Sequence, residues 1–395
     1  MVAKRRRLAT AVLSLFLPFL VAVPAEAGPA APAPPPGDAA IASWGSDRLD
    51  TSEQYYFVLP DRFANGNRAN DKGGLTGDRL KTGYDPADKG FYHGGDLPGV
   101  IDKLDYIQGL GTTAIWLAPV FKNRPVQGSG DDISAGYHGY WITDFTQVDP
   151  HFGSNADLKR LVQLAHRRGM KIYLDIIVNH TADVIQYAQN NHPTAPPTTQ
   201  HSTEDNPVYI DKTTSPYRDS QGRAFEDRNY ADGKNGFPRV SAASFPYTPI
   251  FQSRSDASVK VPSWLNDLTM YHNRGNSTFA GENSEYGDFY GLDDLWTERP
   301  EVVRGMTKIY ADWIGATGID GYRLDTVKHT DLDFWPQFSA GIKAAAGSRD
   351  FFMFGEVYSA DQEIESTYVR RGGLPATLDF SFQEAAKGFV TGAGS

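Results

Sequence analysis

Cysteine is absent from all 395 residues of the chain. Its absence excludes disulfide frameworks, thiol nucleophiles and cysteine-ligated zinc or iron–sulfur sites. Positive charge is also scarce, with 38 Lys and Arg against 48 Asp and Glu for a formal net charge of −10. A nucleic-acid backbone is held by releasing counterions from a basic surface, so no nucleic-acid partner is expected. What is present is the composition of an ordinary globular protein, 40% hydrophobic and 22% charged, with 22 Phe, 20 Tyr and 7 Trp. The length suits one large domain or two of average size.

The first 27 residues differ from the rest. Lys4, Arg5, Arg6 and Arg7 precede an apolar run from Leu8 to Val23, and Ala25-Glu26-Ala27 stands before Gly28. This reads as a secretory signal peptide with a small-residue cleavage site, since the run contains Pro18 and is short for a membrane span. Removal of residues 1–27 takes away more basic than acidic residues, so a secreted, extracellular and more acidic protein is expected, with no membrane association. Residues 28–45 hold the tract GPAAPAPPPG, a Pro/Ala-rich linker that cannot pack a core.

Short apolar runs then alternate with amphipathic stretches. Strands are predicted at Gln54 to Leu59, Thr113 to Leu117, Lys171 to Val178, Ile319 to Leu324, Phe351 to Phe354 and, more weakly patterned, Ala376 to Phe380. Helices are predicted over Asn155 to Arg168 and Pro300 to Gly315, the latter opening with Pro and Glu in its first turn. The alternation argues for parallel strands covered by helices. Between His180 and Arg299 lies a stretch rich in Pro, Asn, Asp, Ser and Tyr that is too long for a simple connection and reads as an inserted subdomain. The domains expected are a first catalytic part at 46–180, the insert at 181–299 and a second catalytic part at 300–395.

A doubly wound sheet would carry a Gly-rich phosphate turn after its first strand, whereas this strand ends in Pro60-Asp61-Arg62-Phe63. Polar residues gather instead at the carboxyl ends of strands three to five: Asp175, Asn179 and His180, then Arg323 and Asp325, then Glu356. A (β/α) barrel builds its site that way. Residues two apart on a strand share a face, so Arg323 and Asp325 both point inward. A guanidinium beside Asp325 favours its ionised form, while Glu356 follows the apolar run FFMFG, where desolvation favours the protonated acid. One ionised and one protonated carboxyl are what glycosidic-bond cleavage requires. Asp175 and Asn179 share parity on the third predicted strand, so both are expected to face the interior, and Asp175 reads as a buried carboxylate orienting Arg323.

Several motifs agree in order and spacing with one family. DIIVNH at Asp175 to His180, GIDGYRLDTVKH at Gly318 to His329, FGEVY at Phe354 to Tyr358, GLDDL at Gly291 to Leu295, GYHGYW at Gly136 to Trp141 and DRFANGNRAND at Asp61 to Asp71 together resemble the α-amylase family of glycoside hydrolases. The resemblance runs from about Gln54 to the end of the chain. It implies a (β/α)8 TIM-type barrel, and a retaining mechanism with Asp325 as nucleophile and Glu356 as general acid/base. It further implies that His138 and His180 hydrogen-bond the sugar on the nonreducing side with Tyr137 stacked on its ring, and that Lys328 and His329 contact the leaving side. Calcium is the implied cofactor. One site would use Asn179, Asp294 and the backbone carbonyl of His329, with Asp293 as an alternative to Asp294. A second would use Asn65, Asn67, Asn70, Asp71, Gly94 and Asp96, or else this segment is an Asn-rich turn whose side chains bond their own backbone.

The chain departs from the family pattern in one respect. Six strands are countable where the family has eight, and no Asn-His-Asp motif follows Glu356. The fold expected is therefore an α/β barrel incomplete at its C-terminus, with the insert after the third strand. The function expected is endo-hydrolysis of α-1,4 bonds in starch-like glucans by a monomer, with little or no hydrolysis by these 395 residues alone. A glucanotransferase, an α-1,6 debranching relative and an inactive glucan-binding fragment remain open alternatives.

Overall fold

The computed structural model describes residues 53–128, 130–188 and 207–392. The leader and the Pro/Ala-rich linker lie outside the described residues. All six expected strands form, in a six-stranded parallel sheet whose spatial order is their chain order: β1 (Tyr55–Val58), β2 (Ala114–Leu117), β3 (Lys171–Ile176), β4 (Gly321–Leu324), β5 (Phe352–Gly355) and β6 (Ala376–Thr377). Among the described residues the sheet remains open. No described helix is long and apolar enough to cross a membrane.

Helices connect successive strands. α1 (Leu97–Asp102) and α2 (Leu104–Gly109) lie between β1 and β2, and α3 (Asn155–His166) between β2 and β3. α4 (Pro300–Thr317) precedes β4, α5 (Phe334–Ala346) precedes β5, α6 (Gln362–Arg370) precedes β6, and α7 (Phe380–Thr391) follows it. α3 begins at a capping box between Ser154 and Asp157 and buries Leu158, Leu161, Val162 and Ala165, one face of a 3.6-residue period. α4 opens on Pro300 and ends at Gly318, whose φ of 77° is the left-handed conformation that glycine adopts without a Cβ clash. The weakly patterned sixth strand is shorter than expected. Its last predicted residue, Phe380, instead opens α7, because the Asp379 side chain accepts from the Phe382 N–H and caps a helix.

The register gives the sheet two chemically distinct faces. Val58, Ile115, Leu117, Ile172, Leu174, Ile176, Tyr322, Leu324 and Met353 join the main apolar core. The opposite face carries Tyr55, Phe57, Trp116, Tyr173, Asp175, Arg323 and Phe354, paired across neighbouring strands. Its rings meet edge to face, Tyr55 against Tyr173 at 5.0 Å and Trp116 against Phe354 at 5.6 Å between centroids. Gly321 makes this packing possible, since a Cβ there would lie 2.3 Å from the Tyr173 ring and 2.1 Å from the Phe352 carbonyl oxygen.

The stretch between β3 and α4 is built mostly of turns and single-turn helices around two short antiparallel pairs. Ile185–Tyr187 pairs with Pro249–Phe251, and His180–Thr181 pairs with Asp293–Asp294. Trp296, Tyr217 and Phe245 form a separate small core in it. Lys260, fully buried, is ion-paired with Asp293 and donates to the Tyr271 hydroxyl at 3.0 Å.

Gly321→Ala is expected to lower stability by about 1–3 kcal/mol, the range for overpacking a filled core. Urea unfolding followed by circular dichroism reads this as a lower midpoint at unchanged slope, and an unchanged midpoint would contradict the proposed contact with Tyr173.

Candidate active site

β3, β4 and β5 set the site by backbone register before any side chain acts. Asp175 on β3 lies opposite Arg323 on β4, which lies opposite Phe354 on β5. Hydrogen bonding continues past the strand ends: Asp325 N–H donates to the Ile176 carbonyl at 2.9 Å, Glu356 N–H to the Leu324 carbonyl at 2.8 Å, and Val327 N–H to the Glu356 carbonyl at 3.0 Å. The two expected catalytic carboxyls are therefore held by the sheet itself.

Arg323 joins them. Its Nη1 donates to Asp175 Oδ1 at 2.8 Å and to Asp325 Oδ1 at 2.6 Å, and its Nη2 lies 2.9 Å from Glu356 Oε1. Asp175 also accepts from Trp116 Nε1 at 3.0 Å and from the Tyr140 hydroxyl at 3.1 Å. Burial pushes the Asp175 carboxyl up to about 7 against the opposing pull of Arg323. Burial is also the largest influence on Glu356 and raises its pKa. Arg323 opposes that rise, while the charge and hydrogen bond of Asp325 add to it. Thr326, between Asp325 and β5, has φ 48°, and its N–H points at Glu356 Oε2 from 3.3 Å. A non-glycine residue held there stores backbone strain beside the site.

The other expected sugar contacts surround this cluster. His138 accepts the Tyr140 N–H at its Nδ1, 3.0 Å away, and burial, reinforced by Arg62, lowers its pKa to about 3. Tyr137 lies beneath the Arg62 guanidinium, 3.9 Å from ring centroid to Cζ. His180 stacks on Phe289 and is held neutral by burial, with a pKa of about 3. Its Nε2 is buried and has no protein partner. Lys328 donates to the Tyr358 carbonyl at 2.8 Å, and burial lowers its pKa. His329 is hydrogen-bonded through Nδ1 to the Ser284 carbonyl at 2.6 Å, and burial lowers its pKa to about 4.

Asn179 requires a correction. Strand parity predicts that it faces the same way as Asp175, but β3 ends at Ile176 and the alternation stops with it. The Tyr310 hydroxyl of α4 bonds both the N–H and the carbonyl of Ile177, and Asn179 then turns toward the insert, its carbonyl accepting from Leu295 N–H at 2.8 Å. There its Nδ2 is 3.2 Å from Asp294 Oδ1, and the Thr330 hydroxyl, one residue after His329, is 3.4 Å from its Oδ1. The Asn179 amide, the Asp294 carboxylate and the residue after His329 thus lie together, the first two carrying oxygens of the kind calcium takes. Asp293 is committed elsewhere, to Lys260 and to the N–H groups of Val184 and Ile185. Asp294 is accordingly the better placed of the two acids.

The Asn-rich loop divides into two groups. Asn65 Nδ2 donates to Asp71 Oδ1 at 2.8 Å, and a Cβ on Gly94 would touch both residues. The Asn70 amide is buried with neither polar atom partnered. These four positions could hold a cation. Asp96 instead accepts from Gly66, Asn67 and Gly99 N–H and caps α1, while Asn67 Oδ1 accepts from Ala69 N–H. Those two side chains serve their own loop and helix.

Sequence reasoning passed over Trp116 and Tyr140 as partners of Asp175 and Arg62 as the cation over Tyr137. Trp116 lies in the second predicted strand and Tyr140 in GYHGYW, and their N–H and O–H groups, which need a partner when buried, were the available signal.

Comparison with known proteins accords with this geometry. Residues 57–394 match the family model described as "Alpha amylase, catalytic domain". The chain is 53% identical over 400 residues to an alpha-amylase of Streptomyces lividans, covering all of this chain and 41% of that protein. Among solved structures, an Anoxybacillus alpha-amylase superposes with a TM-score of 0.57 at 34% identity, over 87% of this chain and 54% of the other. An alpha-amylase from Geobacillus thermoleovorans, complexed with acarbose, superposes with a TM-score of 0.55 at 32% identity, over 85% and 53%. The chain thus spans about half the length of these relatives. With the motifs, the parallel sheet and the strand-end carboxyl cluster in agreement, the chain belongs to the α-amylase catalytic-domain family.

Proposed function

We propose that the protein hydrolyses internal α-1,4-glucosidic bonds of starch-like glucans with retention of configuration. The observation that carries this reading is the Arg323 guanidinium bonded to Asp175, Asp325 and Glu356 at adjacent strand ends. In it Asp325, its negative charge supported by Arg323, attacks the anomeric carbon. Glu356, half-buried and with its pKa raised, delivers its proton to the departing glycosidic oxygen. The glycosyl–Asp325 ester is then opened by a water from which Glu356 takes a proton, which restores both groups. His180 Nε2, buried without a partner, is suited to donate to a sugar hydroxyl, and His138 and Tyr137 complete that side. Lys328 and His329 serve the leaving side. In the same reading the six strands are consecutive staves of a (β/α)8 barrel with residues 181–299 as its inserted subdomain, and the protein is exported and acts as a monomer.

Asn179, Asp294 and the His329 carbonyl would hold one calcium ion, and Asn65, Asn70, Asp71 and Gly94 a second. Calcium, when bound, supplies positive charge that joins the end of β3 to the insert. Removing it with excess chelator is expected to lower the melting temperature and turnover together, and restoring calcium to recover both. At free calcium a hundredfold above Kd the bound ion contributes about 2.7 kcal/mol. Thermal unfolding paired with metal analysis checks this, and a calcium-free starting sample with an unchanged melting temperature refutes it.

In a parent with measurable turnover, whether these 395 residues or a longer chain that includes them, Asp325→Asn is expected to reduce it at least about a hundredfold while maltoheptaose still binds, because the amide keeps the shape and cannot attack. Turnover within tenfold of the parent would end the assignment. Products from starch, pullulan and maltoheptaose decide the substrate class: linear α-anomeric maltooligosaccharides are expected. Cyclic products would indicate a transferase, α-1,6 cleavage of pullulan a debranching enzyme, and binding without turnover a glucan-binding protein.

The proton on Glu356 also sets a pH limit. Burial raises its folded pKa, so the acid form survives above the ordinary glutamate value of about 4.3, and kcat/KM falls as pH rises through the raised value. A pH profile of kcat/KM should therefore place its alkaline limb above that of a solvated glutamate, and Glu356→Gln should abolish the limb along with most of the turnover. A limb that survives in Glu356→Gln would assign the proton to another group.

A further inference from the structure

Behind Asp294, inside the segment between β3 and α4, lies a second polar cluster that the hydrolytic reading does not use. His272, Asp227 and Glu298 are each buried, at 0%, 0% and 1% exposure, and one ligand atom from each lies within 4.8 Å of the others. His272 Nδ1 is 2.6 Å from Asp294 Oδ2, and its Nε2 is 2.9 Å from Glu298 Oε2. Glu298 Oε1 is buried and has no partner, and neither has the hydroxyl of Tyr286, whose ring lies 5.0 Å from that of His272.

We propose that His272 Nε2, Glu298 and Asp227 form a site for a divalent transition metal of the zinc class, distinct from the oxygen-only site at Asn179 and Asp294. Three observations carry it. First, Asp294 occupies Nδ1 and so turns Nε2 toward Glu298. A carboxylate on the far ring nitrogen is the usual support of a metal-bound histidine. Second, one nitrogen and two carboxylates are a donor set for zinc and its neighbours, whereas calcium takes oxygen. Third, Glu298 Oε1 is desolvated with nothing to compensate it, a costly state that a bound cation removes.

A bound ion needs a different spacing. Ligands at about 2.0–2.2 Å from a tetrahedral metal stand roughly 3.4 Å apart, so His272 Nε2 and Glu298 Oε2, now 2.9 Å apart, would part by about 0.5 Å to admit it. Asp227 is fixed at both carboxylate oxygens, Oδ2 accepting from Trp296 Nε1 at 2.8 Å and Oδ1 from Lys212 Nζ at 3.0 Å, so His272 and Glu298 would make most of the adjustment.

The test is a binding measurement and does not depend on hydrolytic activity. The chain is stripped with chelator, returned to excess calcium so that oxygen-only sites are filled, and titrated with Co²⁺ as the probe. One equivalent is expected, with the visible absorption of a tetrahedral nitrogen-containing centre. His272→Gln should abolish that absorption, Asp227→Asn should weaken the affinity at least tenfold, and Asn179→Ala should leave it in place. If His272→Gln fails to fold by circular dichroism, Asp227→Asn decides. No visible band in the folded parent would mean a buried His–Glu ion pair only, and would overturn the proposal. An undiminished band in either His272→Gln or Asp227→Asn would overturn it equally.

Discussion

One buried guanidinium organises the carboxyl ends of the central strands. Arg323, 4% exposed, is a buried cation in contact with three carboxyl groups. Leaving such charges unpaired costs about 3–5 kcal/mol for a single broken buried pair, so the arginine and its acids are interdependent. Asp175 is the anchor, because it also accepts from two further side chains, Trp116 and Tyr140.

The two-faced sheet makes this arrangement affordable in physical terms. Aliphatic side chains on one face remove water against the helices, while the other face holds a layer of aromatic rings below Arg323. The Arg323 guanidinium lies 5.4 Å from the Trp116 ring, so the cation rests on a π-face as well as on carboxylates. Charge is confined to the strand ends, and the apolar layer beneath gives it a firm, low-dielectric floor.

Much of this was legible in the sequence because it is local. Six apolar runs became six strands in their expected order, and the parity of Arg323 and Asp325 held although β4 ends at Leu324, because the Asp325 N–H still bonds the Ile176 carbonyl and carries the pairing one residue further. Asn179 was misplaced by the same rule, since the period of two has no force once β3 ends and Tyr310 captures Ile177. The choice between Asp293 and Asp294 rested on Lys260, 33 residues from Asp293, and the support of Asp175 on Trp116 and Tyr140, 59 and 35 residues away. Such long-range pairings carry no periodic signal. The helices α5, α6 and α7 did carry one: Phe334, Phe338 and Ile342 in α5 repeat at helical spacing.

The pairing of His180–Thr181 with Asp293–Asp294 closes a loop of more than a hundred residues. Closing a loop of that size is entropically costly, roughly (3/2)RT ln n, and nothing is returned until the far strand arrives. The sheet from β1 to β3 has no such requirement. On the ribosome, then, half of the sheet is made while His180 and Asn179 still lack their partners, and these two residues acquire fixed positions only after Asp294 has emerged. The cleft is in this sense a late product of folding, and slow or faulty maturation of the intervening segment would leave molecules with an intact sheet and an unformed site.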